Sequence, residues 1–300
     1  VRTGFAPLKA IPYDASGQAF LTRWLDSLAG GTLTASDKQS LAAAVAALGE
    51  SPVHNRTFGA LRSYLDQTET DGLAARLKRW QRGEALGWVF DNPDDVLDAS
   101  VTYSGYDMTE FLDNTEIRGP LMAYVFERIE RTITGERIVI AIDEFWKALG
   151  DPMFSDLANN KLKTIRKQNG LMVFATQSPA DALRSKIAHT IIEQCPTQIF
   201  MANGRASASD YVTGMKLTAR EFELVGRELT PESRRFLIKQ GHASVVAELD
   251  LSGFDDELAI LSGRTANVRL ADEIRDELRD DLTASDDATW MAEFQKRRTA

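Results

Sequence analysis

Apolar residues recur at helical spacing through the first quarter of the chain. Four of them between residues 21 and 28 follow the i, i+3, i+4, i+7 spacing of one helix face, and Gly30 and Gly31 then end that helix. Similar patterns begin at Ser36, at Thr57 and after Gly72. We therefore predict four short helices with tight connections, which together form an all-α subdomain.

The pattern changes at Leu86, after which short apolar runs predict strands. The runs at 138–142 and 171–175 are continuous and bounded by polar residues, which is typical of strands buried on both faces of a parallel sheet. A third run lies at 198–201, and helical patterns separate these runs. Helical connections favour a mostly parallel sheet. Further strands are predicted at 88–90 and 101–103, a hairpin at 236–247, and an amphipathic helix from residue 267 onward.

Two carboxylates directly follow the predicted strand at 138–142. Asp143 and Glu144 therefore lie at its carboxyl end, where open α/β sheets bind their ligands. In nucleoside-triphosphate motors this arrangement is called Walker B: the Asp holds Mg²⁺ and the Glu polarises the attacking water. The segment alone is also compatible with a buried strand that merely ends in charge, so the rest of the chain has to decide.

Polar residues also follow the predicted strand at 171–175. The amide of Gln177 can donate to a phosphate and accept from a water molecule, as a sensor of the γ-phosphate must. Arg166 precedes the same strand, and its guanidinium suits a phosphate in its own site or in a neighbouring subunit. Arg234 and Arg235 are further candidates. For Arg166 and Lys167 the alternative is a helix end whose dipole favours basic residues.

Composition narrows the class of protein without identifying it. The chain has 300 residues, 43% of them hydrophobic and 26% charged, as in a soluble globular protein of about two domains. Its net charge of −9 argues weakly against a whole-surface nucleic-acid footprint. A single cysteine, Cys195, excludes an internal disulfide, and we expect a packed, inert thiol. The three histidines lack metal-ligand spacing, and no apolar run approaches the ~20 residues of a membrane span.

Several motifs in a fixed order resemble the carboxy-terminal half of VirB4-type ATPases of bacterial type IV secretion and conjugation systems. The resemblance extends over nearly the whole chain. The matching segments are residues 3–8, 88–92, 138–146, 162–170, 175–179, 236–241, 251–253 and 261–263.

The resemblance implies a RecA-like P-loop NTPase core that is α/β with a mostly parallel sheet, and that carries an all-α insertion. It implies work as a hexamer or as dimers, docked in the cytoplasm beneath an inner-membrane channel. By position, Asp143 and Glu144 match the Walker B pair, Gln177 a glutamine motif, and Arg166 with Lys167 an arginine motif. ATP and Mg²⁺ are the implied cofactors. Asp143 is the expected metal ligand, and Thr176, Lys167, Arg234 and Arg235 are expected nucleotide contacts.

One departure from the family pattern concerns the phosphate-binding loop. No Gly-x-x-x-x-Gly-Lys-[Ser/Thr] motif occurs in the chain, and in this family that loop lies upstream of the stretch matched by Val1. We therefore expect the sequence to be truncated after the loop and to be weak or inactive alone as an ATPase, because the backbone donors of that loop supply most phosphate contacts.

The expected domain division follows from these assignments. Residues 1–14 begin the RecA-like core, 15–85 form the all-α insertion, 86–265 form the core with Walker B, and 266–300 form a helical tail. The expected function is an ATP-hydrolysing motor of a type IV secretion system that energises pilus assembly and the transfer of a protein or DNA substrate, together with the other subunits of the system. The alternatives are a DNA translocase of the same superfamily and a non-catalytic docking platform.

Overall fold

The computed structural model describes residues 3–98, 102–278 and 287–299. These residues form two units: the chain up to Pro196 together with Ser207–Ala219, and Thr197–Ala206 together with the residues from Arg220 onward. The domain boundaries expected at residues 14, 85 and 265 stay predictions.

Helices dominate the first unit, which also contains a pair of strands, whereas the second unit is built around a three-stranded sheet. The helices are α1 (Pro7–Ala10), α2 (Ala15–Ala29), α3 (Ala35–Gly49), α4 (Phe58–Ser63), α5 (Leu73–Leu77), α6 (Gly87–Phe90), α7 (Thr109–Leu112), α8 (Arg118–Glu130), α9 (Pro152–Thr164), α10 (Pro179–Leu183), α11 (Ala188–Gln194), α12 (Ala219–Glu223), α13 (Asp255–Leu261), α14 (Thr265–Leu278) and α15 (Asp287–Thr299). The strands are β1 (Ile138–Ile142), β2 (Gly170–Phe174), β3 (Thr197–Met201), β4 (Arg235–Gln240) and β5 (Ala243–Glu248).

Short tight helical turns connect several of these elements. The 3₁₀ turns are Val53–Asn55, Lys78–Trp80, Phe145–Gly150, Ile165–Gln168 and Pro231–Ser233, and the π-helical turns are Ser209–Gly214 and Leu224–Glu228.

The four helices predicted in the first quarter are confirmed as α2, α3, α4 and α5. Gly30 ends α2 with a φ of 66°, a left-handed conformation that favours glycine. The capping box of α3 is formed by Thr34 and Asp37, and it begins two residues before the start predicted at Ser36. Thr57 caps α4 as predicted, since its side chain accepts a hydrogen bond from the backbone N–H of Ala60.

The cap of α4 makes a small, testable contribution to stability. Replacing Thr57 with Ala removes the oxygen that satisfies the Ala60 N–H at 3.1 Å, so the free energy of unfolding should fall by about 1 kcal/mol. Thermal and urea unfolding of the matched variants Thr57→Ala and Thr57→Ser measure this. The Ser variant keeps the cap, and equal losses in both variants would contradict a capping role.

A core of large apolar side chains joins these helices to α8. Trp24 is fully buried, and its indole N–H donates to the backbone oxygen of Pro120 at 3.0 Å. Trp80 is equally buried and donates to the backbone oxygen of Leu28 at 3.1 Å. Both rings pack against Phe90. Because both indole N–H groups have acceptors, these rings contribute apolar burial without leaving a buried donor unsatisfied.

The segment at 88–90 was predicted as a strand, and that prediction is wrong. It lies in helix α6, where the N–H of Asp91 donates to the carbonyl of Gly87 at 3.0 Å. A run of three apolar residues is too short to show whether its period is 2 or 3.6, and burial of Val89 and Phe90 in the helical core decides it. For the strand predicted at 101–103, Thr102 and Tyr103 form a bend, and Val101 lies outside the described residues.

Strands β1 and β2 pair in parallel and in register, from Ile138 opposite Gly170 to Ile142 opposite Phe174. Only one face of this pair is buried, which corrects the prediction of burial on both faces. Ile140 and Met172 pack on side chains of α8 and α9. On the other face, exposed fractions reach 64% for Val139 and 57% for Leu171, although both are apolar. The apolar runs identified the strands, but they did not determine what covers each face.

Strand β3 differs from the expectation that it continues the parallel sheet. It pairs antiparallel with β4, Phe200 lying opposite Leu237, and β4 pairs antiparallel with β5. The β4–β5 hairpin is the one predicted from the sequence, and Gly241 in its turn has a φ of 60°. In the same unit, the amphipathic helix predicted from residue 267 is confirmed as α14, and its Ile274 is buried in one cluster with Phe294 of α15.

No helix among the residues that the structure describes is both long enough and apolar enough to cross a membrane.

Candidate functional site

The polar residues predicted to meet do lie at one edge of the β1–β2 pair. Because the strands are parallel and in register, Asp143 and Glu144 leave β1 where Thr176 and Gln177 follow β2. The pairing continues one step beyond the strands, since the N–H of Ala175 donates to the carbonyl of Ile142 at 3.0 Å. This is the carboxyl edge, where ligands of α/β sheets bind.

Glu144 and Gln177 contact each other directly. The side-chain amide of Gln177 donates to Oε1 of Glu144 at 2.7 Å. Glu144 has a φ of 49°, in the left-handed region, and its N–H donates to Oδ1 of Asp143 at 2.9 Å. A non-glycine residue in this region costs roughly 1–2 kcal/mol and is found most often at functional sites. The strained turn aims the carboxylate of Glu144 at the residue that follows the neighbouring strand.

Lys147 makes a second contact with Glu144 that sequence reasoning missed. Its ammonium lies 3.4 Å from Oε2 of Glu144 and donates to Oδ1 of Asp113 at 2.9 Å. The hydrogen bond with Asp113, and then the contact with Glu144, raise the pKa of the Lys147 ammonium above its usual value. The sequence did contain one signal for this contact: Lys147, on the turn Phe145–Gly150, follows Glu144 by three residues.

The site opens into a large cavity. Asp143, Glu144 and Lys147 line a cavity of about 1050 Å³, together with the face of β1 and the segment 102–113. Its volume is at the upper end of the range of small-molecule sites, roughly 300–1,000 Å³. The acidic pair therefore faces enough space for a ligand of nucleotide size.

Asp143 carries a carboxylate that could hold Mg²⁺. Among residues 3–98, 102–278 and 287–299, no group of three or more His, Cys, Asp or Glu side chains could hold a metal ion. A single carboxylate nevertheless fits this metal, because Mg²⁺ is usually bound through one or two carboxylates together with the phosphates of a substrate. Asp143 lines the cavity, where its carboxylate oxygens could hold the ion, and its role as the metal ligand stays a prediction.

Arg166 and Lys167 lie away from this edge. Both are on the turn Ile165–Gln168, which precedes β2, whereas Asp143, Glu144 and Gln177 follow β1 and β2. The length of the five-residue strand therefore separates them, about 17 Å at 3.3 Å per residue. Both side chains are exposed, and neither forms an ion pair with another described residue. The structure does not bring Arg166 to the acidic pair of its own chain.

The remaining predicted nucleotide contacts are dispersed. The hydroxyl of Thr176 accepts from the N–H of Ser178 and donates to the Ser178 carbonyl at 2.8 Å, so it closes its own turn. Arg234 has a left-handed φ of 54°, and Arg235 pairs across the hairpin with Glu248 at 2.9 Å. Both arginines belong to the second unit. Cys195 is half-buried, and burial raises the pKa of its thiol, in agreement with an inert cysteine.

Comparisons with known proteins identify the fold. The family model described as the TraG P-loop domain matches residues 120–217, which contain β1, β2 and the residues at their carboxyl edge. The solved structure of VirB4 of Thermoanaerobacter pseudethanolicus superposes with a TM-score of 0.64 at 20% identity, covering 83% of this chain and 74% of that one. The chain therefore has the RecA-like α/β fold of the P-loop NTPases, as predicted.

Sequence relatives define the family more narrowly. The type IV secretion system protein virB4 of Bartonella henselae is 54% identical over 299 residues, which are 99% of this chain and 38% of that protein. The virB4 protein of Brucella abortus is 38% identical, and the protein PtlC of Bordetella pertussis is 39% identical, over 99% of this chain and 37% of each relative. The chain belongs to the VirB4 family of type IV secretion proteins, and it spans less than two fifths of the length of these relatives.

Proposed function

We propose that this chain is the motor part of a subunit that hydrolyses ATP to drive a type IV secretion system. The observation that carries the proposal is the hydrogen bond of 2.7 Å between Gln177 and Glu144, beside Asp143, at the carboxyl edge of two parallel strands. Membership of the VirB4 family supports the proposal that the motor acts in secretion. The hydrolysis would then drive pilus assembly and substrate transfer.

Each residue of the site has a role in this proposal. Asp143 holds the metal ion, and Glu144 orients the attacking water and accepts its proton. Gln177 keeps the Glu144 carboxylate aimed at that water and senses the phosphate through its amide. ATP supplies the electrophilic phosphorus, and Mg²⁺, when bound, would neutralise charge on the phosphate oxygens. Thr176, Lys167, Arg234 and Arg235 remain proposed nucleotide contacts.

Arg166 is proposed to act on the nucleotide of a second copy of the protein. It lies at the amino end of β2, about 17 Å of strand away from Glu144, so its own site is out of reach. Its guanidinium is exposed and suits phosphate recognition. This role requires self-association, as a hexamer or as dimers, so that the arginine of one copy meets the site of the next.

Family membership also supports proposals for the location and the partners of the protein. The protein is proposed to work in the cytoplasm at the inner-membrane face of a secretion channel, in contact with the other inner-membrane and ATPase subunits of the system. The cargo is a protein or DNA. The expectation that residues 1–300 alone are weak or inactive stays a prediction.

Turnover of the complete protein tests this proposal and separates it from its alternatives. We expect Mg²⁺-dependent ATP hydrolysis that DNA changes by less than about twofold, since the chain has a net charge of −9 and DNA binding depends on cationic contacts. Phosphate release is measured with and without DNA at two salt concentrations. Strong, salt-sensitive stimulation by DNA would favour a DNA translocase, and no turnover under any condition would favour a docking platform.

A further inference from the structure

The turn that presents Arg166 is held in place by a buried lysine. Lys161, near the end of α9, has a side chain that is only 5% exposed, and its ammonium donates to Oε1 of Gln168 at 2.7 Å. The same ammonium forms an ion pair with Glu130 at the end of α8. Gln168 in turn donates to Oε1 of Glu130 at 3.2 Å. We call Lys161, Glu130 and Gln168 the turn clamp.

Other contacts restrict the same turn. Ile165 at its start is buried in the core that includes Ile140 and Met172. Asn169 directly after it has a left-handed φ of 60°, and its side-chain amide donates to the carbonyl of Gly135 at 3.2 Å. Arg166 and Lys167 are thus exposed between two anchored positions. The chain fixes the backbone of this turn while leaving its two cations facing outward.

The burial of the Lys161 ammonium requires an explanation, because removing a charged group from water without giving it a partner costs free energy. Lys161 meets this cost by bonding to two groups on different elements, and so it connects α8 and α9 to the turn. A packed apolar residue would satisfy the core at lower cost but could not bond to Gln168. The lysine therefore serves the position of the turn and not only the packing of α9.

We propose that Lys161 is a positioning residue for Arg166, acting through the turn clamp so that Arg166 meets the nucleotide of a second copy at a defined place. This inference rests on the proposed function, in which Arg166 acts between copies. The physical reason is that catalysis depends on accurate placement. An arginine that must reach a phosphate across an interface stabilises the reaction less well when its backbone can move by an ångström or more.

The test is a mixing experiment on the complete protein. Lys161→Met keeps much of the side-chain length but removes the ammonium, and we expect about 10-fold slower turnover with the KM for ATP within about twofold. Gln168→Ala, which frees the turn but leaves Lys161 paired with Glu130, should behave similarly. Lys163→Met is the matched control, because Lys163 is an exposed lysine of the same helix.

Complementation separates positioning from misfolding. Mixed with a Glu144→Gln variant, Lys161→Met should regain turnover above the sum of the two alone, because its intact Glu144 meets an intact Arg166 from the other copy. Mixed with Arg166→Ala it should not. In addition, without nucleotide the amide hydrogens of 166–169 should exchange faster in Lys161→Met than in Lys163→Met.

Three results would overturn the inference: turnover of Lys161→Met equal to that of the control, unchanged amide exchange, or no recovery with Glu144→Gln. The pair Arg166→Ala with Glu144→Gln distinguishes the positioning role of Lys161 from the proposed action of Arg166 between copies. If that pair recovers and the Lys161→Met pair does not, the positioning role alone is wrong. If that pair also fails, the proposed action of Arg166 between copies is wrong, and the positioning role falls with it.

Discussion

Replacing Glu144 with Gln is expected to lower the steady-state turnover of ATP by the complete protein at least about 100-fold, the usual contribution of a general base. The amide keeps the size of the side chain but cannot accept a proton from water. It can still bond to Gln177, because an amide oxygen also accepts a hydrogen bond like the one seen at 2.7 Å. The fold and the site geometry should therefore persist, and the loss should lie in kcat.

The matched control for this variant is Glu136→Gln. Glu136 is exposed on the turn that precedes β1, at the opposite end of the strand from Glu144. The same chemical change there should leave turnover within about twofold of wild type, since surface substitutions away from the site rarely matter. A Glu144→Gln variant that is as active as Glu136→Gln would show that the carboxylate has no role in hydrolysis.

Replacing Arg166 with Ala is expected to lower turnover by on the order of 1000-fold, which is typical of an arginine that stabilises the transferred phosphoryl group. The effect should appear only through contacts between copies, because Arg166 lies about 17 Å of strand away from the acidic pair of its own chain. Diluting the protein below the dissociation constant of its self-association should therefore lower the wild-type rate towards that of the variant.

Stability measurements and a neighbouring cation provide controls for Arg166→Ala. Arg166 is exposed, so its removal should leave the melting temperature unchanged within about 1 °C. Lys163→Ala, on the preceding turn of α9, should retain turnover. Equal losses in Lys163→Ala would point to general surface charge, and wild-type turnover in Arg166→Ala would show that this arginine does not reach a nucleotide.

The sequence predicted those parts of the fold that depend on local pattern. The helices α2 to α5, the cap at Thr57, the strands β1 and β2 and the β4–β5 hairpin each have a period, a cap or a turn that a few neighbouring residues specify. The segment at 88–90 failed because three apolar residues carry no period. The pairing of β3 and the uncovered face of β1 and β2 also escaped prediction, because they depend on residues distant in sequence.

In the candidate site, too, some contacts could be predicted from the sequence and others could not. Asp143, Glu144 and Gln177 could be predicted to meet, because parallel strands place their carboxyl ends side by side. The contact of Lys147 with Asp113 could not be predicted, because Asp113 comes from a segment without a pattern. The position of Arg166 at the opposite end follows from its place before β2, and this position supports the proposal that it acts on the nucleotide of a second copy.

A single-turnover measurement tests the central claim most directly, because it separates the chemical step from binding and release. ATP is bound to an excess of the complete protein, Mg²⁺ is added, and phosphate is followed by rapid quench for wild type, Glu144→Gln and Glu136→Gln. We predict that all three bind ATP within about threefold of each other, and that only Glu144→Gln hydrolyses it at less than about 1% of the wild-type rate. Hydrolysis by Glu144→Gln at the wild-type rate would contradict the assignment of this edge of the sheet as the site of ATP hydrolysis.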